Sequence, residues 1–245
     1  MSARIAAVSG GIGGLGTAIC IALARAGRRV VALDLPRDEA VDRFRHAVND
    51  LDVGFEPLDV TDFDACNALV QGIVERHGTL DILVNAAGIT RDTTLRKMSP
   101  EQWVDVLRIN LDGVFNMCRH VVEGMSERGF GRIVNISSVN GQTGQFGQTN
   151  YSAAKAGMHG FTMALAREVA RKGVTVNSVS PGYCRTAMVA AIAEPVRNQI
   201  IAGIPVGRLG EPSEIARVVN FLADDDSGFI TGANIPVNGG YFMDS

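Results

Sequence analysis

Arg4-Ile-Ala-Ala-Val8 runs into the glycine-rich stretch Ser9-Gly-Gly-Ile-Gly-Gly-Leu-Gly16, which is followed by Thr17-Ala-Ile-Cys-Ile-Ala-Leu-Ala-Arg25. The first segment is a short apolar run that predicts a buried strand, and the third has the apolar pattern of a helix. Glycines between a strand and a helix let the backbone approach a pyrophosphate, and the amino end of the helix offers free N–H groups and a partial positive charge. This order predicts a dinucleotide site, with a merely flexible turn as the alternative.

The spacing of the glycines gives the loop its pattern. Gly10, Gly14 and Gly16 form G-x-x-x-G-x-G rather than G-x-G-x-x-G. Residues 28–33 predict a second strand, which ends in Asp34 about twenty residues beyond the loop. An acidic residue there would accept hydrogen bonds from an adenosine ribose. The alternative is a solvated carboxylate at the end of a strand.

A second pattern lies further along the chain. Tyr151 and Lys155 are four residues apart in Asn150-Tyr-Ser-Ala-Ala-Lys155, and Ser138 closes the apolar segment that begins at residue 132. Side chains four apart project from the same helix face, so we expect the ammonium to lower the phenol pKa from its usual value near 10. The pair predicts proton transfer. Many such pairs are solvated surface, and it is the upstream glycine loop that favours the catalytic interpretation.

Strand and helix patterns alternate over the whole chain. Short apolar runs predict strands at 53–58, 80–85, 132–137, 174–180 and 234–237, and helical patterns lie at 62–77, 100–128, after 150 and at 214–223. Ser99-Pro100-Glu-Gln102 fits a helix start with a capping box. Alternation with short connections predicts an α/β fold, a single-domain doubly wound parallel sheet of the Rossmann-like kind with helices on both faces. The carboxyl ends of its strands would form the ligand crevice.

Taken together, these motifs resemble the short-chain dehydrogenase/reductase family from end to end. The matching positions are the loop begun by Ser9, where Thr is usual, Asp59-Val60, Asn85-Ala-Ala-Gly88, Asn110, Ser138, Tyr151, Lys155 and Pro181-Gly182. Ala86 departs from the pattern, since Asn is usual there. We expect a modest consequence, because the backbone does much of the work in that turn.

The resemblance implies a role for each catalytic position. Tyr151 would exchange a proton with a substrate carbonyl, and Ser138 would hydrogen-bond the same oxygen. Lys155 would lower the phenol pKa and hold the nicotinamide ribose, with support from Asn110 through a water relay. The implied cofactor-binding residues are Gly10, Ile12, Gly13, Gly14, Gly16, Asp34, Asp59, Val60, Asn85, Ala86, Ala87, Gly88, Tyr151, Lys155, Pro181, Gly182 and Cys184.

Charge near the adenosine ribose bears on which dinucleotide is used. Asp34 would repel a 2′-phosphate, and Ile12 and Gly13 occupy loop positions where NADP-preferring relatives often carry a basic residue. We therefore expect NAD(H) to be favoured, with NADP(H) possible. Arg37 lies in a segment predicted to be a mobile loop, and it could still swing toward a phosphate.

The substrate is indicated by resemblance within the family. The runs 88–92, 131–141 and 144–152 are most similar to acetoacetyl-CoA reductases of polyhydroxybutyrate synthesis, which implies reduction of acetoacetyl-CoA to (R)-3-hydroxybutyryl-CoA. Reduction of 3-oxoacyl-[acyl-carrier-protein] in fatty-acid synthesis is the alternative, and a dinucleotide-binding regulator without catalysis is a more distant one. Residues 184–209 predict a mobile lid, or else a plain surface helix. The expected substrate residues are Asp92, Ser138, Gln145, Phe146, Gln148 and Tyr183.

Composition sets further limits. A chain of 245 residues can form one α/β domain over 1–245, and a net charge of −3 argues against nucleic acid as a partner. The four cysteines form no C-x-x-C pair, so we expect no metal site. No apolar stretch approaches the ~18 residues of a membrane span, and no basic leader precedes the first strand, so we expect a cytoplasmic protein without a membrane partner. A homotetramer is expected by family analogy alone.

Overall fold

Seven parallel strands form the central sheet of the computed structural model, which describes residues 3–243. In chain order they are β1 (Ile5–Ser9), β2 (Arg29–Asp34), β3 (Val53–Pro57), β4 (Ile82–Asn85), β5 (Gly131–Ile136), β6 (Val174–Pro181) and β7 (Asn234–Val237). Their order across the sheet is β3-β2-β1-β4-β5-β6-β7. The chain therefore builds one half outward from β1 and then the other half outward from β4. This confirms the predicted doubly wound fold, whose ligand crevice opens where the strand order reverses.

Helices cover both faces of the sheet. In chain order they are α1 (Gly14–Arg25), α2 (Asp38–Ala47), α3 (Phe63–His77), α4 (Pro100–Leu107), α5 (Gly113–Arg128), α6 (Asn140–Thr143), α7 (Thr149–Val169), α8 (Ala187–Ala190), α9 (Glu194–Ala202) and α10 (Pro212–Leu222). One apolar core lies between the sheet and α1, α2 and α10, and a second between the sheet and α3, α5 and α7.

The central strands feed both cores, which explains their continuous apolar sequences. Ala6 and Val8 of β1 pack into the core under α1 and α10, whereas Ile5 and Ala7 pack into the core under α5 and α7. Successive strand side chains point to opposite faces, so β1, which is buried on both sides, has no solvent-facing positions that would be polar. This pattern marks buried parallel strands.

The chain is helical over 100–128 as predicted, but the run is not one uniform α-helix. The structure has α4 and α5 joined by a π-helical turn at Arg108–Asp112. Asn110 lies in this turn, fully buried, and its side-chain Nδ2 donates to Val106 O at 2.8 Å. A side-chain amide that competes for a helix carbonyl favours such a widened turn. The start of α4 is as predicted, since Ser99 and Gln102 form the capping box.

Helix α2 was missed by the sequence prediction. Its sequence is mostly charged, and Val41 and Phe44 are the residues it buries. The segment around Arg37, predicted as a mobile loop, leads directly into this helix. Residues 184–209, predicted as a lid, contain α8 and α9 and have a small apolar core of their own.

The predicted site positions share one edge of the sheet. Gly10 follows β1, Asp34 ends β2, Asn85 ends β4, Ser138 comes two residues after β5 and Pro181 ends β6. Within residues 3–243, none of the helices is both long and apolar enough to span a bilayer.

Candidate active site

Tyr151 and Lys155 lie one turn apart near the start of α7, and their side chains project together as the spacing predicts. Lys155 Nζ is 5.7 Å from the centre of the Tyr151 ring. The ammonium donates to Ile136 O, at the end of β5, over 2.7 Å. Lys155 is only 3% exposed, which fixes its position between helix and sheet.

Burial controls the protonation of both groups. It lowers the pKa of Lys155 to about 7 and raises the pKa of Tyr151, and the hydrogen bond between Tyr151 and Ser138 opposes the second shift without cancelling it. The expected net lowering of the phenol pKa is therefore wrong for the protein alone, because removal of Tyr151 from water disfavours the phenolate more than its hydrogen bond with Ser138 stabilises it. A phenol that keeps its proton near neutral pH suits proton donation.

Ser138 is buried, and its hydroxyl proton is available. Its Oγ accepts a hydrogen bond from the backbone N–H of Asn140 at 3.1 Å, so the hydroxyl can donate elsewhere. The neighbouring Ser137 Oγ donates to Lys155 O at 3.0 Å. These bonds tie the segment after β5 to α7, and they hold Ser138 beside the Tyr151 phenol.

Asn110 faces Lys155 across a small space beside Gly88. The Nδ2 group of Asn110 donates to Ile89 O at 2.9 Å and to Val106 O, which leaves Oδ1 buried without a partner among residues 3–243. A Cβ placed on Gly88 would lie 2.6 Å from Asn110 Oδ1 and 3.7 Å from Lys155 Nζ. A buried acceptor of this kind is costly unless a water or a ligand hydroxyl donates to it.

The glycine loop has no room for side chains at Gly10, Gly11 and Gly16. Gly10 adopts a positive φ of 67°, and a Cβ there would lie 2.6 Å from Ala87 N. A Cβ on Gly16 would lie 2.1 Å from Gly10 O. Ser9 Oγ accepts from the backbone N–H groups of Ala86 and Ala87 at 3.2 and 3.4 Å. The turn that contains Ala86 thus packs on the loop through its backbone, leaving a cradle suited to a pyrophosphate.

Gly16→Ala is expected to weaken dinucleotide binding by at least about tenfold and to destabilise the fold, because its methyl group would overlap the Gly10 carbonyl. The matched control is Gly72→Ala in α3, where an added Cβ meets nothing closer than Arg76 Nη2 at 4.0 Å. That change should stabilise the helix by up to about 1 kcal/mol. NADH titration by fluorescence and urea unfolding measure both effects. If Gly16→Ala kept wild-type affinity for NADH, the glycine loop would not be the pyrophosphate site.

The adenosine end of the crevice is acidic. Asp34 Oδ1 accepts from Leu35 N at 2.8 Å and from Arg37 Nη2 at 3.1 Å. Arg37 is therefore paired with Asp34 rather than free, which corrects the expected mobile loop. Beside them is a shallow cavity of about 370 Å³, and its walls suit a flat base. Its lining includes Leu35, Pro36, Pro57, Leu58, Asp59 and Leu69.

At other predicted cofactor positions the side chains pack or form hydrogen bonds within the protein. Asp59 Oδ1 accepts from Thr61 N at 2.9 Å, and Val60 is buried under α5. Asn85 directs its side chain into the protein, where Nδ2 donates to Asn135 Oδ1 at 2.8 Å. Ile12 is buried in the core under α1. These residues shape the crevice through packing and backbone position.

The end of β6 brings the predicted lid over the glycine loop. Gly182 N donates to Val237 O at 3.0 Å. Cys184 is buried, and its backbone pairs with that of Gly210 in an isolated parallel β-bridge. Thr186 was missed by the sequence analysis. Its Cγ2 lies 3.3 Å from the place of a Cβ on Gly14. No local motif marks Thr186, because its contact with Gly14 depends on how the segment after β6 folds.

The predicted substrate residues separate into two groups. Gln148 Nε2 donates to Asp92 Oδ2 at 2.8 Å, and Asn140 Nδ2 donates to Gln148 Oε1 at 2.9 Å. These three side chains form a polar rim beside Ser138. Gln145 and Phe146 are exposed, and Phe146 is 86% accessible.

Asn140 and Tyr183 form the side of the site that faces the predicted lid. Asn140 was missed by the sequence analysis, although it lies two residues after Ser138, and its Oδ1 is buried without a partner among residues 3–243. Burial raises the pKa of Tyr183, and a hydrogen bond with Asn140 lowers it in part. Tyr183 in turn contributes to the raised pKa of Tyr151. Val139 N donates to Pro181 O at 2.9 Å, which joins the segment after Ser138 to the strand end that precedes Tyr183.

No three His, Cys, Asp or Glu side chains converge on a possible metal position within residues 3–243. The four cysteines, Cys20, Cys66, Cys118 and Cys184, are all buried and unbridged.

Comparison with known proteins finds relatives that match over almost the whole chain. Residues 10–242 match the family model described as Enoyl-(Acyl carrier protein) reductase. An acetoacetyl-CoA reductase from Allochromatium vinosum is 57% identical over 98% of this chain and 99% of its own, and one from Cupriavidus necator is 52% identical over 99% and 100%. A 3-oxoacyl-[acyl-carrier-protein] reductase from Haemophilus influenzae is 42% identical over 99% and 100%. The crystal structure of gox2181 matches with a TM-score of 0.91 at 36% identity, covering 98% of this chain and 96% of that one.

Proposed function

Because the chain belongs to the short-chain dehydrogenase/reductase family and is an NAD(P)-dependent oxidoreductase, we propose that it reduces the 3-keto group of acetoacetyl-CoA to (R)-3-hydroxybutyryl-CoA, for polyhydroxybutyrate synthesis. The observation that carries the proposal is the meeting of Tyr151, Lys155 and Ser138 beside the glycine loop. Greater identity to the acetoacetyl-CoA reductases than to the carrier-protein reductase supports the choice of substrate.

In this mechanism the chain handles the proton and the developing charge. The reduced nicotinamide, when bound, supplies the hydride. Tyr151 donates its phenolic proton to the ketone oxygen, which a raised pKa allows because the group is protonated near neutral pH. Ser138, whose Oγ already accepts from Asn140 N, donates a hydrogen bond to the same oxygen and stabilises its negative charge in the transition state.

Lys155 and Asn110 support the proton donor. A protonated Lys155 beside the ring stabilises the phenolate that forms when Tyr151 gives up its proton. Asn110 Oδ1 and Lys155 Nζ face the same space at Gly88, where a bridging water would satisfy both and connect Lys155 with the solvent side. The residues that would hold the dinucleotide are Gly10, Ile12, Gly13, Gly14 and Gly16 for the pyrophosphate, Asp34, Asp59 and Val60 for the adenosine, and Asn85, Ala86, Ala87, Gly88, Tyr151, Lys155, Pro181, Gly182 and Cys184 for the nicotinamide half.

NADH is the preferred cofactor in this proposal. The carboxylate of Asp34 would repel a 2′-phosphate, and its ion pair with Arg37 keeps that guanidinium from serving as a phosphate ligand. We expect kcat/KM with NADH to exceed that with NADPH by at least about tenfold. Asp34→Ala should lower the ratio of kcat/KM with NADH to kcat/KM with NADPH by about the same factor. The change removes the repulsion of the 2′-phosphate and releases Arg37 from its ion pair. Asp38→Asn, an exposed carboxylate at the start of α2, is the matched control. Comparable kcat/KM with both cofactors in the wild type would remove the proposed preference.

The substrate is tested by steady-state rates on acetoacetyl-CoA, a longer 3-ketoacyl-CoA and a 3-ketoacyl carrier protein, each with both reduced cofactors. Acetoacetyl-CoA is expected to give the highest kcat/KM. Activity on the carrier-protein thioester well above that on the CoA thioester would instead establish the fatty-acid synthesis reductase as the function. No oxidation of either cofactor with any ketone would reject both.

Assembly and location remain predictions of the family analogy. We propose a cytoplasmic homotetramer, with α4, α5 and α7 contributing surface to the subunit contacts. Light scattering of the purified protein measures the assembly state directly, and a monomer near 26 kDa would overturn the tetramer.

A further inference from the structure

The segment over 184–209 has an apolar core separate from the two cores of the sheet. Val189, Ile204 and Leu209 are buried at its centre. The side chains that pack on them are Tyr183, Ile192, Ile200, Ile201 and Tyr241. Two of these come from outside the segment. Tyr183 belongs to the site, and Tyr241 arrives from the last turn of the described chain.

The turn that carries Tyr241 is fixed by its own hydrogen bonds. Asn238 Oδ1 accepts from Gly240 N at 2.9 Å, and Asn238 Nδ2 donates to Phe242 O at 2.9 Å. Val206 N donates to Gly239 O at 3.1 Å, which joins the turn to the end of the lid segment. Tyr241 is thus held against the lid by backbone and side-chain bonds.

Tyr241 contacts the site through Tyr183. The two rings meet edge to face, with centroids 5.7 Å apart and planes at 78°. On its other side Tyr183 borders the segment after β5. Val139 N donates to Pro181 O at 2.9 Å, which brings the strand end two residues before Tyr183 beside Ser138 and Asn140. Tyr183 therefore stands between Tyr241 and the reacting ketone, and an edge-to-face contact restricts its ring to one orientation.

We propose that Tyr241 is a positioning residue that holds Tyr183 in place and thereby limits the length of the 3-ketoacyl chain the enzyme reduces. The inference rests on the proposed function. The polar rim of Asp92 and Gln148 is partly open to solvent and suits the thioester and its polar carrier. The adjoining wall, made by the Tyr183 ring and the apolar core of the lid, suits the short alkyl end of the substrate. Without the Tyr241 ring, Tyr183 can withdraw and the wall recedes.

The test compares kcat/KM for acetoacetyl-CoA, 3-ketohexanoyl-CoA and 3-ketooctanoyl-CoA in the wild type and in Tyr241→Ala. We expect the ratio of long to short substrate to rise at least about tenfold in the variant, with KM for the reduced cofactor unchanged. Tyr241→Phe keeps the ring and should restore the wild-type ratio. Phe229→Ala removes a fully exposed aromatic side chain elsewhere and controls for nonspecific effects. A uniform change at all three chain lengths would overturn the proposal.

A double-mutant cycle tests whether Tyr241 acts through Tyr183. In the Tyr183→Ala background, Tyr241→Ala should no longer change the chain-length ratio, because the ring it positions is absent. An additive effect would contradict the inference. If Tyr241→Ala does not fold, Tyr241→Leu fills the lid core without the edge-to-face contact and is expected to give the same shift. If the wild type reduces other ketones but no 3-ketoacyl-CoA, the proposed function is wrong. The ratio of kcat/KM for a large accepted ketone to that for a small one, compared between the wild type and Tyr241→Ala, then tests whether Tyr241 limits substrate size.

Discussion

Tyr151→Phe is expected to lower kcat for ketone reduction by about 10²- to 10⁴-fold, the usual contribution of a positioned general acid. The change removes one oxygen from a ring that otherwise keeps its packing against Lys155. Because Tyr151 is one of many residues that would hold the dinucleotide and the glycine loop is untouched, the affinity for NADH should fall by less than about fivefold, far less than kcat. The measurements are steady-state reduction of acetoacetyl-CoA and NADH titration by fluorescence.

The matched control is Tyr183→Phe, which deletes the neighbouring phenol hydroxyl. That hydroxyl interacts with Asn140 at the wall of the site, so we expect a loss below about tenfold, mostly in KM. If Tyr151→Phe kept wild-type turnover, the proton donor would be another group. If neither the wild type nor the variant reduced any ketone while both bound NADH, the chain would be a dinucleotide-binding regulator.

The strands were predictable because burial on both faces leaves a continuous apolar run. The predicted strand at 132–137 corresponds to β5 (Gly131–Ile136), all of whose residues are buried. The strand at 234–237 coincides with β7 although this edge strand is only partly buried. The errors occur where tertiary contacts override the local pattern. Helix α2 buries little apolar surface, and the turn at Arg108–Asp112 widens because of one buried amide. Neither effect is visible as periodicity.

The site was predictable to the extent that spacing fixes geometry. The i+4 relation brought Tyr151 and Lys155 to one helix face, and the strand ends brought Asp34 and Ser138 to one edge. Spacing carries no information about desolvation, so the direction of the Tyr151 pKa shift in the protein alone was wrong. Asn140 and Tyr241 depend on loops that fold back over the sheet, and no local motif marks them.

Lys155 has a cost in stability that its chemistry requires. Its pKa is lowered from 10.5 to about 7 by burial. Between these values the unfolded chain binds a proton that the folded chain does not, so stability rises as pH increases from about 7 toward 10.5. Below pH 7 the full penalty is present, of order 5 kcal/mol at about 1.4 kcal/mol per pKa unit. Burial thus disfavours the protonated form of Lys155, which is the form that stabilises the Tyr151 phenolate.

Lys155→Met is therefore expected to stabilise the folded protein while lowering kcat by about 10²-fold or more. The thioether fills the buried space without a charge. Loss of the hydrogen bond to Ile136 O is expected to reduce the increase in unfolding free energy by about 1–3 kcal/mol. Urea unfolding at several pH values measures the difference, which should be largest below pH 7 and shrink steadily above it. Lys172→Met, an exposed lysine, should show a small difference that does not follow pH in this way. If the Lys155→Met protein were less stable than wild type at pH 6, interactions in the folded protein would offset the cost of burying the ammonium. Stability and catalysis would then not be opposed at this residue.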